Sequence, residues 1–344
     1  MQRNLKLFII SILLPVGVFA QTGGRTVFNF LSNSSSARIA ALGGVTPSIA
    51  DNDLSIAFFN PSLISPELNN HLALNYTDFY QTIQYGDVAY SHTYDKFGSF
   101  VAGMQFVNYG KFTSTDEAGN DIGSFGAGEY ALSLGWGRRL DSLFSIGADL
   151  KFIYSSLEIY HSYGIAADIS ATYFPDSRSS LSFVVRNVGR QLTPYQESTV
   201  QPVPFELQLA YSSLLRHLPL RYSIVLHDLQ RWDLRYNDPS TATSDPVTGE
   251  TVKQDKLTNL LDEGMRHLVI GLEFMPVKNF TVRVGYNHQR RKEMALDSRT
   301  STVGFSWGFG LRVKKININY ARSTWHLNGS PNYISVTANL SDLF

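Results

Sequence analysis

The chain has 344 residues, no cysteine, and 29 basic against 29 acidic residues, so its formal net charge is zero. This balance argues against a nucleic-acid-binding protein, which carries a basic surplus on one face. The lack of cysteine excludes a disulfide scaffold, cysteine-ligated zinc, thiol catalysis and a lipoprotein anchor. A mean hydropathy of −0.10 excludes a bundle of transmembrane helices, each of which needs about 20 consecutive apolar residues. A large soluble all-β protein and a transmembrane β-barrel remain.

The first 20 residues have the pattern of a secretory signal peptide. Arg3 and Lys6 form a positive start, Leu7–Leu14 is a short apolar core, and Ala20 ends a small-x-small cleavage site. The alternative is a membrane anchor, but the apolar run is too short to span a bilayer. We therefore expect an exported chain located in a bacterial outer membrane.

Residues 21–69 lack the alternation of the rest of the chain, and we interpret them as a plug for a barrel formed by residues 70–344. Ser36–Gly44 predicts one short helix, with a serine cap and glycines at its end. The alternative, a disordered tail, fits poorly with the many apolar residues of this segment. The residues assigned to the plug are Arg38, Leu42, Asn60 and Pro61, the last two forming a turn.

From residue 70 onward, apolar residues alternate with polar ones, which indicates β-strands with two different faces. Fourteen such stretches occur, and a length of about ten residues suits a tilted membrane strand. Their first apolar residues are Leu72, Val88, Phe100, Tyr130, Ile146, Ile165, Leu181, Phe205, Leu220, Leu268, Phe280, Val303, Ile316 and Ile334.

Connection lengths favour the membrane barrel over a soluble sandwich. The even-numbered connections are short, whereas the odd-numbered ones include long stretches at 109–127, 187–204, 229–266 and 288–301. Short turns and long loops alternate in this way in transmembrane barrels. The fold class predicted is an all-β, 14-stranded antiparallel transmembrane barrel, and the terminal Phe344 fits delivery to the outer membrane. The positions expected to face the lumen include Arg186, Glu206, Gln208, Glu273, Arg283, Asn317 and Asn319.

Catalytic, cofactor and metal sites are not expected. Gly304–Gly308 matches the pattern G-x-S-x-G, but the strand alternation continues through it and no helix follows, so Ser306 is a poor candidate nucleophile. The eight histidines are scattered without metal-ligand spacing. Asp51–Asp53 suggests a cation site or, more simply, an Asx turn or helix cap.

The long connection 229–266 is the most distinctive loop. Its Trp/Arg/Tyr cluster resembles an interface hot spot, and Asp255–Glu263 predicts a short amphipathic helix. The alternative is a solvated lid without a partner. The candidate partner-binding residues are Arg231, Trp232, Arg235, Tyr236 and Trp325.

Six segments carry a resemblance to known proteins: Val27–Leu31, Ser36–Gly44, Phe59–Leu63, Asn108–Phe112, Leu140–Gly147 and Ile153–Ser156. They resemble the PorQ family of the type IX secretion system, more than the related PorV family. Both families are similar to FadL-type 14-stranded barrels with an N-terminal hatch. Here the more usual Asn-Pro-Ala is Asn60-Pro61-Ser62.

The resemblance implies a non-enzymatic barrel that anchors PorZ, through its C-terminal domain, at the cell surface. The implied complex includes PorV and PorU, of which PorU acts as the sortase that processes cargo and attaches it to anionic lipopolysaccharide. The barrel itself contacts outer-membrane lipid. It supplies no catalytic residues and no cofactor. Two other hypotheses stay open: a FadL-like transporter of hydrophobic compounds, and a hydrolase that uses Ser306.

Overall fold

The structure is a computed structural model that describes residues 26–80, 82–196, 200–235, 256–295, 301–326 and 329–342. The predicted signal peptide, Tyr236 and Phe344 lie outside these residues. Among the helices described, none has the length and apolar character needed to cross a bilayer.

Fourteen antiparallel strands close into a barrel, which confirms the predicted fold class. Each strand pairs with its neighbours in the chain, and β1 closes the barrel against β14 from His71–Asn339 to Asp78–Asn332. The strands are β1 (His71–Tyr80), β2 (Ile83–Tyr94), β3 (Gly98–Thr115), β4 (Asp121–Arg139), β5 (Phe144–Leu157), β6 (Tyr160–Tyr173), β7 (Ser179–Thr193), β8 (Glu206–Leu214), β9 (Leu220–Leu226), β10 (Leu268–Val277), β11 (Phe280–Asn287), β12 (Phe305–Val313), β13 (Ile316–Ser323) and β14 (Asn332–Asn339).

Alternating residues give the barrel an apolar outer face and a polar inner face. On β4, Leu132 and Leu134 are about half exposed on the outside, whereas Ala131 and Ser133 are buried inside. Closure pairs the backbone groups of every strand, as a bilayer requires. Of the seven positions predicted to face the lumen, six are buried, and Asn317 is exposed but lines a cavity together with Lys278 and Asn279 of the β10–β11 turn.

Connections at the two ends of the barrel differ in length. The even-numbered connections have at most five residues each and define what we call the short-turn end. The predicted loop 109–127 is wrong for most of its length, because β3 and β4 continue as a hairpin to a turn at 116–120. Phe112 stacks on Phe125 across this hairpin at 5.4 Å. The sequence of this hairpin shows no alternation of apolar and polar residues, because neither of its faces packs on a core.

Four α-helices lie in the plug and in the loops of the opposite, long-loop end. α1 is Ala37–Ala41, α2 is Leu54–Ala57, α3 is Lys256–Arg266 and α4 is His288–Met294, and 3₁₀ turns cover Asn29–Ser32, Pro61–Leu63, Pro66–Leu68 and Leu340–Asp342. The Ser36 side chain accepts a hydrogen bond from the Ile39 amide at the start of α1, as predicted. Asp53 caps α2 in the same way through the Ser55 amide, which confirms the simpler interpretation of Asp51–Asp53.

Residues 26–69 lie inside the barrel and pack on its wall. Leu42, Leu54 and Ile64 are almost completely buried, in a cluster that includes wall residues such as Ala73 and Val101. At Gly147 and Gly285 the wall touches the plug so closely that an added Cβ would overlap the plug backbone. A lumen of 14 strands is too wide for its own side chains to fill, and here the plug fills it.

We expect Leu132→Arg, on the outer face of β4, to lower the free energy of unfolding by about 2–4 kcal/mol, because arginine near the bilayer midplane loses its hydration. Ile122→Arg is the matched control, since Ile122 is also exposed on β4 but lies near the tip of the hairpin. Denaturant unfolding in phospholipid vesicles measures both. Equal effects of the two substitutions would contradict the assignment of this face to lipid.

Candidate functional site

A buried arginine of the plug is paired on three sides. Arg38, on α1, forms a bidentate pair with Glu273 of β10, with Nε–Oε1 and Nη2–Oε2 both 2.9 Å. Its Nη2 lies 2.6 Å from Asp51 Oδ2, and its Nη1 lies 3.0 Å from Asp53 Oδ2. The guanidinium therefore joins two separate parts of the plug to the wall.

Two wall arginines complete this cluster. Arg283 Nε donates to Glu273 Oε1 at 2.7 Å, and Arg221 Nη1 donates to Asp51 Oδ2 at 2.6 Å and to Glu273 Oε2 at 2.9 Å. Three arginines face three carboxylates, so the cluster is neutral as a whole. We call it the latch, and its members are Arg38, Asp51, Asp53, Arg221, Glu273 and Arg283.

The plug side of the latch stays charged at neutral pH. Burial opposes the charge of Arg38, but Asp51, Glu273 and Asp53 raise its pKa well above the usual range. Burial likewise opposes ionisation of Asp51, but Arg38 and Arg221 hold its pKa well below the usual range for an aspartate. The plug is therefore held by full charges, which are worth more than neutral hydrogen bonds.

Hydroxyl groups of the wall add neutral hydrogen bonds to the plug. Ser306 Oγ donates to the Ala41 carbonyl at 3.1 Å, and Ser323 Oγ donates to the Ala40 carbonyl at 3.2 Å. The serine of the G-x-S-x-G pattern thus lies within β12 and binds backbone. Within the plug, Asn60 donates to the Pro47 carbonyl and accepts from the Ser62 amide at 3.1 Å, which fixes the turn at Pro61.

A cavity of about 250 Å³, which we call the chamber, lies between the plug and the loops of the long-loop end. Trp325 contributes to its wall, with the Arg290 guanidinium 4.3 Å from its ring centroid and Phe79 edge-on at 5.2 Å. Trp325 therefore lies beside the chamber, packed between Phe79 and Arg290. Polar residues that line the chamber include Glu206, His227, Asp228 and Arg290.

The remaining candidate partner-binding residues lie in the long loop after β9. Trp232 is 57% exposed and stacks on His267 at 5.4 Å. Its carbonyl also accepts a hydrogen bond from His267 Nε2 at 3.0 Å. Arg231 is partly buried, and Arg235 pairs with Asp233 and Glu263. Of these residues, Trp232 is the one most available to a partner, because the cation of Arg235 is already engaged.

The predicted loop helix is present as α3, and it carries an apolar exposed surface. Leu260, Leu261 and Met265 are exposed. On the polar side, Asp262 pairs with Arg266 at 2.9 Å and with Lys292 of α4 at 3.1 Å. Although burial opposes it, these cations lower the pKa of Asp262 to about 2. We call Trp232, Leu260, Leu261 and Met265 the loop patch.

Sequence reasoning identified the parts of the latch but not their association. Arg38 was assigned to the plug, and Glu273 and Arg283 to the lumen, but Arg38 and Glu273 are separated by 235 residues. Arg221 was not singled out, because it is near the end of a short strand. Charge balance is the signal that could have predicted the association, because several arginines in a closed lumen require carboxylates nearby.

Comparisons with known proteins concern the fold alone. No family model and no curated protein matches the chain. The P. putida toluene transporter TodX has a TM-score of 0.55 at 13% identity, over 90% of this chain and 99% of that chain. The Ralstonia pickettii toluene transporter TbuX has a TM-score of 0.52 at 12% identity, over 91% and 100%. A Pseudomonas aeruginosa FadL homologue has a TM-score of 0.47 at 13% identity, over 92% and 98%. The chain therefore shares the barrel fold of TodX and TbuX.

We expect Glu273→Gln to destabilise the protein by about 3–5 kcal/mol, because it leaves three arginines around a neutral amide. The plug should also loosen, so that planar bilayers with the variant conduct ions more than those with the wild type. Glu67→Gln is the matched control, since Glu67 is on the same plug but exposed. If Glu273→Gln unfolds at the wild-type denaturant concentration, the latch does not hold the plug.

The lowered pKa of Asp51 predicts a pH dependence of stability. A carboxyl with a lower pKa in the folded state stabilises the fold above its unfolded pKa of about 4, and this stabilisation is lost as pH falls through the folded pKa. Asp51→Asn should therefore be less stable than the wild type at pH 7, and the difference should narrow in acid. Urea unfolding across this pH range measures it, with Asp95→Asn on the β2–β3 turn as control. A difference that widens in acid would contradict the latch.

Proposed function

We propose that this chain is an outer-membrane barrel that anchors a partner protein at the cell surface. Its place would be the type IX secretion attachment complex, where it holds PorZ, by its C-terminal domain, beside PorU and PorV. The resemblance of its sequence segments to PorQ proteins supports this role. The long-loop end, with the loop patch, would then face the cell exterior, and no catalytic step is required of the barrel.

The observation that carries the proposal is the latch. An anchor needs a rigid barrel and an exposed surface, whereas a channel needs a path through the lumen. In this barrel, Arg38 ties the plug to β10 by a buried bidentate ion pair, and the segment around it fills the lumen. The breaking of such a pair is costly, so the plug is expected to stay in place during function.

The loop patch is the surface we assign to PorZ. A few residues, tryptophan prominent among them, supply most of the binding energy of a typical interface, and Trp232 is such an exposed residue. The exposed Leu260 and Leu261 of α3 would exclude water around it. Arg235 and Glu263 form an ion pair nearby, which suits the polar rim of such a patch.

We expect the combined change Trp232→Ala and Leu261→Ala to reduce the amount of PorZ that copurifies with the tagged barrel at least about tenfold, the loss expected for hot-spot residues. Ile159→Ala is the matched control, because Ile159 is an exposed apolar residue on the β5–β6 turn at the same end. Both variants should insert into the membrane like the wild type. Unchanged PorZ recovery with the double variant would exclude the loop patch as the binding surface.

A FadL-like transporter is the second candidate. The likeness to two toluene transporters favours it, as does an irregular part of the wall. The β6–β7 register shifts between Ala167 and Ile169, and β7 pairs with β8 only as far as Arg186–Glu206. Uptake of labelled toluene by cells that depends on the barrel and decreases in Trp325→Ala would favour transport. An anchor leaves uptake equal to that of cells without the barrel.

A further inference from the structure

Three side chains of metal-ligand type meet in the chamber, where the pairing of β8 with β9 ends. His227 Nδ1 lies 3.1 Å from Asp228 Oδ2 and 4.0 Å from Glu206 Oε1. One ligand atom from each residue lies within 4.8 Å of the others. Zinc bonds of 2.0–2.2 Å in a tetrahedral site place ligand atoms roughly 3.3–3.6 Å apart, so only small side-chain movements are needed for all three to bind one ion.

The two ring nitrogens of His227 have different surroundings. Its Nδ1 faces the carboxylates, whereas its Nε2 is buried without a hydrogen-bond partner among the described residues. An ion bound at Nδ1 leaves the proton on Nε2, and because buried polar atoms in native proteins are nearly always paired, we expect a water to accept it there. The chamber, of about 250 Å³, has room for both.

Asp228 is oriented by a second residue in the way typical of metal ligands. Gln230 Nε2 donates to Asp228 Oδ1 at 3.1 Å, which leaves Oδ2 directed at His227. Gln230 is itself fixed to the backbone, since its amide donates to the Phe205 carbonyl at 2.9 Å and accepts from the Leu207 amide at 2.9 Å. Such outer contacts fix the geometry of ligating carboxylates.

The cations near the cluster do not occupy its carboxylate oxygens. Arg186 Nη1 lies 3.8 Å from Glu206 Oε2, which is too long for a hydrogen bond. Arg290 lines the same chamber but lies over the ring of Trp325. Among the described residues, Asp228 accepts its side-chain hydrogen bonds from His227 and Gln230, and no arginine takes the place of an ion at these carboxylates.

We propose that Glu206, His227 and Asp228 form a zinc site with an open coordination position toward the chamber. Imidazole with two carboxylates suits zinc, and three protein ligands leave the fourth position to water. The β8–β9 ladder ends at Leu209–Leu226, so Glu206 and His227 lie just beyond the last pair. The ion braces the barrel wall where β8 and β9 have no ladder to hold them together.

The test uses the full chain purified without a polyhistidine tag, treated with chelator, and titrated with zinc chloride by calorimetry. We expect one ion per chain with a Kd of about 1 μM or less, and a rise in Tm at saturating zinc, because a ligand of the folded state stabilises it. Asp228→Asn, which keeps the side-chain shape, and His227→Ala should each weaken binding at least about tenfold, as expected for loss of a ligand. His217→Ala, on the exposed β8–β9 turn at the short-turn end, should bind as the wild type does.

Substitution of cobalt for zinc gives a second readout, because a four-coordinate site of this kind has visible absorption that the Asp228→Asn variant should lose. No saturable binding at about 1 mM zinc would overturn the proposal, and the cluster would then be an ion-pair network. Binding that His217→Ala weakens and Asp228→Asn does not would also overturn it. Neither result depends on whether PorZ binds the loop patch, so this proposal and the proposed function fail separately.

Discussion

In a bilayer, every backbone amide and carbonyl of the spanning segment must be paired within the protein, and the rest of this structure depends on that constraint. A sheet satisfies it only by closing on itself, and here β1 closes against β14. Closure with 14 strands encloses a lumen too wide for the wall's own side chains. The N-terminal segment occupies this space. The wall has glycine at contact positions such as Gly147 and Gly285, where a side chain would overlap the plug backbone.

The polar inner face creates a second requirement, because charges shielded from water must be compensated. The latch does this with three arginines and three carboxylates, contributed by the plug and by three neighbouring strands. Since removal of a single member leaves a buried charge unpaired, the cluster makes the position of the plug specific as well as stable.

The chamber and its polar cluster lie where regular pairing ends. β8 and β9 are among the shortest strands, and the residues that follow them, His227 and Asp228, are held by side chains and by single backbone contacts. In a continuous strand, successive side chains point alternately inward and outward. Irregular backbone at the mouth of a barrel can instead direct two neighbouring side chains inward. The plug and Trp325 form part of the chamber wall around this cluster.

The amino-acid sequence by itself determined the strand number, the faces of each strand and the short plug helix, because these depend on local periodicity and on capping residues. It wrongly predicted a loop over 109–127, because a hairpin that is exposed on both faces does not need alternating apolar residues. Only the tertiary structure decided which charges meet: Arg38 reaches Glu273 because the barrel closes around the plug, and Glu206 lies near His227 because β8 pairs with β9. These contacts follow from plug position and strand register, and neither leaves a local pattern in the sequence.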